Sequence, residues 1–501
     1  MSESINNIAN NATYLSLGED YFSIVLPAPF ETEARLVHFN EDAAKTIGLD
    51  KNAHKDPVFH RIISGQQTIE NCIPFAMLYS GHQFGHYVKE LGDGRAITLA
   101  EITNPHGKKC HDKWELQLKG SGLTPYSREG DGRAILRSTI REYLCSEAMH
   151  GLGIPTTRAL AIVTSYDKII REQIEPGAIL ARVAPSHIRF GSFEVFFYRN
   201  QHEHVRILAD HVLKHYYPEL LSTTDPYRAL LREVIKRTAK MIAQWQSVGF
   251  SHGVMNTDNM SILGLTIDYG PYGFMEAYNP GFICNSSDHH GRYAFDQQPD
   301  IGLFNISCLA QALLPLLDEN PDNAQMIAIR EMKQYKHGYM RYYHDIMQKK
   351  LGLTSESDED KSLLVDLLVM MKDERVDYTI LFRQLCDFDS TDLSNNTKIR
   401  DLFLQRERFD KWAVRYQQRL SKEDLADIER QAHMKQHNPK YILRNYLAEN
   451  AIYQAQTNHD YSEVDKLFKI LQKPFDEQPE YESYADFPPD WAQDISVSCS
   501  S

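Results

Sequence analysis

The feature that most constrains this chain is a change of hydrophobic period along it. Trp114-Glu115-Leu116-Gln117-Leu118-Lys119 alternates apolar and polar side chains, the period of a half-buried strand. From 136 to 150 the apolar residues Leu136, Ile140, Leu144 and Ala148 fall four apart, the spacing of one helical face, and Gly151 follows as a stop signal. Short apolar runs at 96–102, 160–163 and 178–183 predict further strands, and Gly92-Asp93-Gly94-Arg95 predicts a turn. Residues 227–247 carry a helical stripe ending at Gly249. Past residue 300 only helical stripes are found, near 302–317, 323–350, 360–373 and 397–419. The implied fold class is α+β, a mixed α/β part followed by a mostly helical one. Residues 271–300, rich in Gly, Pro, Tyr, Asn and His, lack any period and read as a long functional loop, and the stretch from Pro474 onward reads as an extended tail.

With 501 residues, 42% apolar and 24% charged, the chain can bury a large core in two or three subdomains. Its net charge of -14 argues against nucleic acid and acidic membranes as partners, so phosphate chemistry would need a local basic pocket. We expect no membrane association, because no run approaches the roughly 18 apolar residues of a span, and the N-terminus has no leader pattern. Seven cysteines without a Cys-x-x-Cys pair fit a reducing compartment, and the cytoplasm is expected.

The candidate chemistry lies between His252 and Gly270. Protein kinases use His-Arg-Asp, four residues, Asn, and then Asp-Phe-Gly to supply a base and two magnesium ligands. Here Asn259 and Asp268-Tyr269-Gly270 match the ligand positions, but the position of the kinase base is Val254, which cannot accept a proton. Asp258 is the nearby carboxylate that can replace it. Asn259 and Asp268 are hard oxygen ligands of the kind magnesium or manganese takes; the plainer reading makes both segments turns. Isoleucine before Asp268 and glycine after it suggest a strand end. His252 reads as a buried histidine that orients the loop.

Upstream, Lys119 ends a strand and Glu142 lies in the next helix, the order in which kinases pair a lysine with a glutamate to hold a phosphate; a solvated surface pair is the alternative. Gly-Asp-Gly-Arg occurs twice, at 92–95 and 130–133, offering backbone N–H groups beside Arg95 and Arg133 as phosphate ligands, or simply two turns. Arg182 and Arg189 flank a proline-containing segment and can hold a triphosphate, or sit on the surface. His289-His290 with Asp288 fit no zinc spacing. Cys284 and Cys499 would close a reversible disulfide if the tail folds back onto the loop, and remain free thiols if it does not.

The motifs Tyr79-Ser80-Gly81-His82-Gln83-Phe84-Gly85, Leu91 to Arg95, Lys119-Gly120-Ser121-Gly122 through Arg128, Gly130 to Arg133 and His252 to Met260 together resemble selenoprotein O, a family of protein adenylyltransferases with a pseudokinase fold. The end, Cys499-Ser500-Ser501, is similar to the family's Cys- or selenocysteine-Ser-Ser terminus, with ordinary cysteine here. The resemblance implies a protein-kinase-like bilobal fold: an N-terminal extension over 1–75, an N-lobe over 76–205, a C-lobe over 206–320 with the metal site, a helical extension over 321–473 and a tail over 474–501. It implies that ATP binds in a flipped orientation and that AMP passes to Ser, Thr or Tyr hydroxyls of protein substrates, with UMP transfer from UTP, favoured by manganese, as a second activity. On matching positions Gly92, Gly94, Arg95, Lys119, Asp131, Gly132, Arg182 and Arg189 would hold the nucleotide. Glu142 would position Lys119, Asn259 and Asp268 would bind Mg²⁺ or Mn²⁺, and Asp258 would accept the proton. A phosphotransferase acting on a small molecule or protein, and an ATP-binding scaffold without catalysis, are the alternatives.

Overall fold

The computed structural model describes residues 4–104 and 113–498. Its centre is a nine-stranded sheet in which every pairing is antiparallel. Seven strands form its path: β1 (Phe22–Ile24), β2 (Arg35–Phe39), β3 (Phe75–Met77), β4 (Ala96–Thr103), β5 (Lys113–Lys119), β6 (Arg158–Ile170) and β7 (Ile174–Ala184). Their spatial order is β1-β3-β4-β5-β7-β6-β2, so strands from the first 40 residues complete the sheet on both sides.

Strand alternation decides which side chains reach the site. On β7, Ala178 and Leu180 join the core under helix α1 (Leu136–Gly151), whereas Ile179, Ala181 and Val183 join a second core on the opposite face. Arg182 therefore points with Leu180 toward α1. On β5, Leu116 and Leu118 fill the opposite core, which turns Gln117 and Lys119 toward α1 as well. The register places Arg182 directly across from Gln117. Helix α1 buries Ile140, Tyr143, Leu144 and Ala148 against this face, and truncating one such leucine costs about 2–5 kcal/mol.

Helices α2 (Phe190–Tyr198), α3 (Pro226–Ser247), α4 (Gln298–Leu317) and α5 (Pro321–Lys350) continue the same core away from the sheet. A further core gathers Leu367, Phe382, Trp412 and Tyr416 from the C-terminal helices. Helices Asn445–Tyr453 and Ser462–Leu471 return to pack against α1.

The expected strands and the helices at 136–150, 227–247, 302–317, 323–350 and 360–373 are present within a few residues. Five details differ. The stripe at 397–419 breaks into Thr397–Arg400 and Arg406–Leu420, because Ile399, Phe403 and Phe409 all turn into one core. Helix α2 gave no signal because Phe190-Gly-Ser-Phe-Glu-Val-Phe-Phe-Tyr198 is almost wholly buried and so has no polar face. Among the described residues Asp268 ends no strand: its φ of 55° is left-handed, and the pairing just before it is a single bridge between Thr156 and Thr266. The tail forms 3₁₀ turns at Pro479–Ala485 and Asp490–Asp494 rather than an extended run. Finally, the segment Phe295–Leu317 is long and apolar enough to cross a membrane by length and composition; 56% of its most apolar window is buried inside the fold, where α4 packs against α2, α3 and α5.

Candidate active site

Three cations and three carboxylates meet where β5, β7, α1 and α2 converge. Lys119 Nζ contacts the Glu142 carboxylate, and Arg182 Nη1 donates to its other oxygen at 2.7 Å. The same Arg182 nitrogen donates to Asp268 Oδ1 at 2.8 Å, and Lys119 Nζ lies 3.5 Å from that oxygen. Arg189, the residue that caps α2, donates to Asp268 Oδ2 and to the carbonyl of Asp258 at 2.7 Å. Its guanidinium lies 4.6 Å over the ring of Tyr79 and 3.7 Å from Asp93. Asp93 is buried and accepts from the Met77 N–H at 3.0 Å and the Tyr79 hydroxyl at 3.2 Å. Gln117 Oε1 accepts from Arg182 Nε at 2.8 Å and fixes that side chain from the sheet.

This arrangement sets the ionisation of each group. Burial alone would raise the Asp268 carboxyl, but Arg189, Arg182 and Lys119 outweigh it and hold it well below the usual carboxylate range. Burial works against the charge on Arg182 and Arg189, yet Asp268 is the strongest of the influences that keep both raised and charged. Lys119 is lowered by burial against the pull of Glu142 and Asp268. Taking so many charges out of water is costly unless they compensate each other, and isolated structural pairs seldom gather in this number.

Asp258 is the exception in this charge network. It sits in the 3₁₀ turn Thr257–Asn259, where Gln83 Nε2 donates to Oδ2 at 3.2 Å, while its Oδ1 is buried without a partner. Burial pushes its carboxyl up to about 6, against the lowering effect of Arg189. Gly81 covers it closely; a Cβ at that position would lie 2.5 Å from Oδ1, so only glycine fits there. Asn259 Nδ2 donates to the carbonyl of Val254 at 3.0 Å, which leaves its amide oxygen available to a cation. An amide oxygen, an ionised carboxylate and an unpartnered carboxylate oxygen are a donor set that fits Mg²⁺ or Mn²⁺.

A cavity of about 600 Å³ joins these groups to both Gly-Asp-Gly-Arg segments. Gly92, Gly94, Arg95, Lys119, Asp131 and Gly132 line it, and so do Arg182, Arg189, Asp258, Asn259 and Asp268. Glu142 lies beneath Lys119 at the base. Arg95 and Arg128 at its wall have no ion pair among the described residues. Asp131 is turned aside: Arg171 donates to both of its carboxylate oxygens at 2.8 Å. Gly132 has φ of 67°, and a Cβ there would lie 2.1 Å from the carbonyl oxygen of Gly122, so the second segment needs glycine to close.

Some members escaped sequence reasoning. Asp93 reads as a turn residue; Tyr79 and Gln83 lie in a motif that carries the resemblance but suggests no role for them, and Gln117 and Arg171 carry no motif; the sheet register and the fold-back of 79–85 bring these residues in. His252 is buried, stacked on Trp245 at 5.4 Å and hydrogen-bonded to the Ile267 carbonyl at 2.9 Å, a loop-orienting histidine. His289 and His290 join no cluster; the one grouping of His, Cys and carboxylate ligand atoms among the described residues is His82, Glu194 and Cys308. Cys284 is buried, its thiol donating to the Ser251 carbonyl at 3.4 Å and pushed up to about 12 by burial. Cys499 lies outside the described residues.

A sequence model of the family described as Protein adenylyltransferase SelO matches residues 4–472. The chain belongs to that family. Curated relatives of this SelO chain extend over nearly its whole length. A protein of Thiobacillus denitrificans named Protein nucleotidyltransferase YdiU is 53% identical over 488 residues, covering 97% of this chain and 98% of its own. Proteins of the same name from Myxococcus xanthus and Thioalkalivibrio sulfidiphilus are 50% and 52% identical, each covering 98% of both chains. SelO membership makes the chain an enzyme of the protein nucleotidyltransferase class.

Proposed function

We propose that this chain transfers AMP from ATP to Ser, Thr or Tyr hydroxyls of proteins, on a kinase-like bilobal fold in which the nucleotide lies reversed. The observation that carries this reading is the separation of roles in the cleft. A valine, Val254, stands where a kinase base would be, and Asp258, whose Oδ1 is buried without a hydrogen-bond partner, directly precedes Asn259 in the chain. Lys119, Arg182 and Arg189 offer cationic donors to a triphosphate, with Glu142 holding Lys119 in position. Arg95 and the backbone of Gly92, Gly94 and Gly132 line the cavity that would receive the rest of the nucleotide, with Asp131 and Arg171 at the same wall.

Asn259 and Asp268 would hold Mg²⁺ or Mn²⁺, which when bound neutralises charge on the phosphate oxygens. In the step itself the acceptor hydroxyl attacks the α-phosphorus. A new P–O bond forms as the bond to the bridging oxygen breaks, pyrophosphate departs toward the arginines, and Asp258 takes the hydroxyl proton. UTP would serve in the same cavity as a UMP donor, with manganese favoured.

The test uses ATP labelled at either the α or the γ phosphate with Mg²⁺ or Mn²⁺. Label should remain on protein from the α position only and vanish in Asp268→Ala; transfer of γ label would replace this reading with a kinase, and neither label would leave a nucleotide-binding scaffold.

The tail supports a second element of the reading, a reversible disulfide between Cys284 and Cys499. The Val497 carbonyl accepts from the Ser286 N–H at 2.9 Å, so the residue two before Cys499 lies against the loop that carries Cys284. Peptide mass mapping after mild oxidation by a disulfide reagent should recover the joined pair, and recovery of both as free thiols would remove it.

A further inference from the structure

A second concavity, of about 480 Å³, lies between α3 and α5 and shares no residue with the cavity around Asp268. The two helices run side by side in the same direction. Arg228 and Arg232 of α3 donate through Nε to the Glu331 carboxylate of α5 at 2.7 and 2.8 Å, and further along Gly338 faces Ala239. Glu331 is buried, so these two arginines are committed to the fold. The rest of the rim faces outward. Arg330, His337 and Arg341 are exposed on α5, and neither Arg330 nor Arg341 has an acidic partner among the described residues. Between the rims the floor is carbon: Ile235, Ala239, Gly338 and Tyr342.

The charge of this face opposes that of the molecule. The groove itself is lined by Arg228, Arg232, Lys236, Arg330 and Arg341 against one acidic side chain, Glu331, a surplus of four positive charges in a chain whose net charge is -14. An acidic partner is repelled by most of this surface and drawn to this face, where field and shape act together.

We propose that the α3–α5 groove docks an acidic segment of the protein that receives the nucleotide. The inference rests on the transferase reading, which requires a second protein to be held while its hydroxyl reacts. A narrow channel with cationic rims and an apolar floor suits an extended peptide whose carboxylates flank an apolar or aromatic side chain. A phosphodiester chain would gain the rims but leave the carbon floor unused.

The probe is a fluorescent random copolymer of glutamate and tyrosine, with a glutamine–tyrosine copolymer and a single-stranded oligonucleotide of equal charge as controls. Binding is read by anisotropy without nucleotide, so it does not depend on catalysis. Transfer to the same copolymer is read separately. We expect salt-sensitive binding to the Glu-Tyr polymer, weakened at least tenfold in Arg330→Glu/Arg341→Glu. For transfer, KM should rise by a similar factor with kcat unchanged. The variant should fold, because both side chains are exposed and neither is ion-paired. A second variant, Gly338→Leu, fills the floor by adding a Cβ whose nearest neighbour is 3.9 Å away, and should weaken binding without altering charge. Unchanged binding in both variants, equal binding of the Gln-Tyr polymer, or preference for the oligonucleotide would overturn the proposal. Binding without transfer from α-labelled ATP would leave the groove standing and bring down the transferase reading instead.

Discussion

At the scale of single residues, Asp258 and Asp268 show one side chain type driven in opposite directions by its surroundings. Asp268 is surrounded by cations and stays ionised, whereas Asp258 is enclosed by Gly81 and the turn it sits in. A carboxyl whose folded value lies above its ordinary one favours the protonated form. Its stabilising effect is present at low pH and lost as pH rises through about 6. In protein freed of metal and nucleotide, Asp258 should therefore cost stability at pH 8, on the order of 3 kcal/mol for a shift of about two units. Asp258→Asn keeps the shape and is uncharged at both pH values. We expect it to abolish nucleotide transfer and to raise the melting temperature clearly more at pH 8 than at pH 5, where about half of the penalty is already present because the ordinary carboxyl ionises from 3.8. Parallel melting curves for the two proteins across that range would show that the carboxyl is not penalised by burial.

At the scale of elements, the site is held by a staple between the hairpin Gly81–Gln83/His86–Val88 and the turn Thr257–Asn259. The His82 N–H donates to Thr257 Oγ1 at 2.7 Å, the Thr257 hydroxyl donates to Glu194 Oε2 at 2.7 Å, and the His82 ring lies 3.1 Å from Glu194 Oε1. Glu194 belongs to α2 and is fully buried, so one carboxylate ties three elements beside Asp258 without lining the nucleotide cavity. Glu194→Ala should lower kcat for transfer by about a hundredfold, the cost of misplacing a reacting group by around 1 Å, while ATP affinity stays the same. Glu194→Gln, whose amide oxygen still accepts from Thr257, should recover part of the rate. An equal loss of ATP affinity would mean that α2 shapes the nucleotide cavity itself. His82 and Thr257 lie in motifs that carry the resemblance, but their contacts and the part played by Glu194 were not legible in the sequence. Strands with period two and helices with a polar face announce themselves, which is why β5, α1 and α3 were readable together with Lys119 and Glu142 at their expected places. Helix α2 is apolar on all sides and the hairpin is only a few residues long, so neither leaves a periodic trace. Asp268 was identified by type and spacing, but its left-handed backbone is set by tertiary packing that no local pattern encodes.

At the scale of the molecule, the cleft is a set of charges that satisfy one another and would have to be separated for nucleotide and metal to enter. Asp268 is bound by Arg182, Arg189 and Lys119, which come from β7, the start of α2 and β5. A triphosphate alone would draw these cations toward itself and leave the Asp268 carboxylate uncompensated in a half-buried place. A divalent cation alone would draw Asp268 and leave three positive charges facing one another beside Glu142. Each half-step therefore carries an electrostatic cost that the other ligand removes, which is positive coupling between the two by linkage. The coupling is reciprocal: the cation should tighten ATP by the same factor by which ATP tightens the cation. Thermal melts with saturating MgATP should show a clear rise, since a ligand at a hundred times its Kd stabilises by about 2.7 kcal/mol. ATP with EDTA, or Mg²⁺ without ATP, should each give a rise much smaller than half of it. In Asp268→Ala the cations have lost their internal partner, so ATP with EDTA should become the better ligand of the two and the advantage of adding Mg²⁺ should disappear. Additive shifts in the wild-type protein, with ATP and Mg²⁺ each contributing alone what they contribute together, would show that the ion pairs of the resting cleft do not have to break for the substrate to bind.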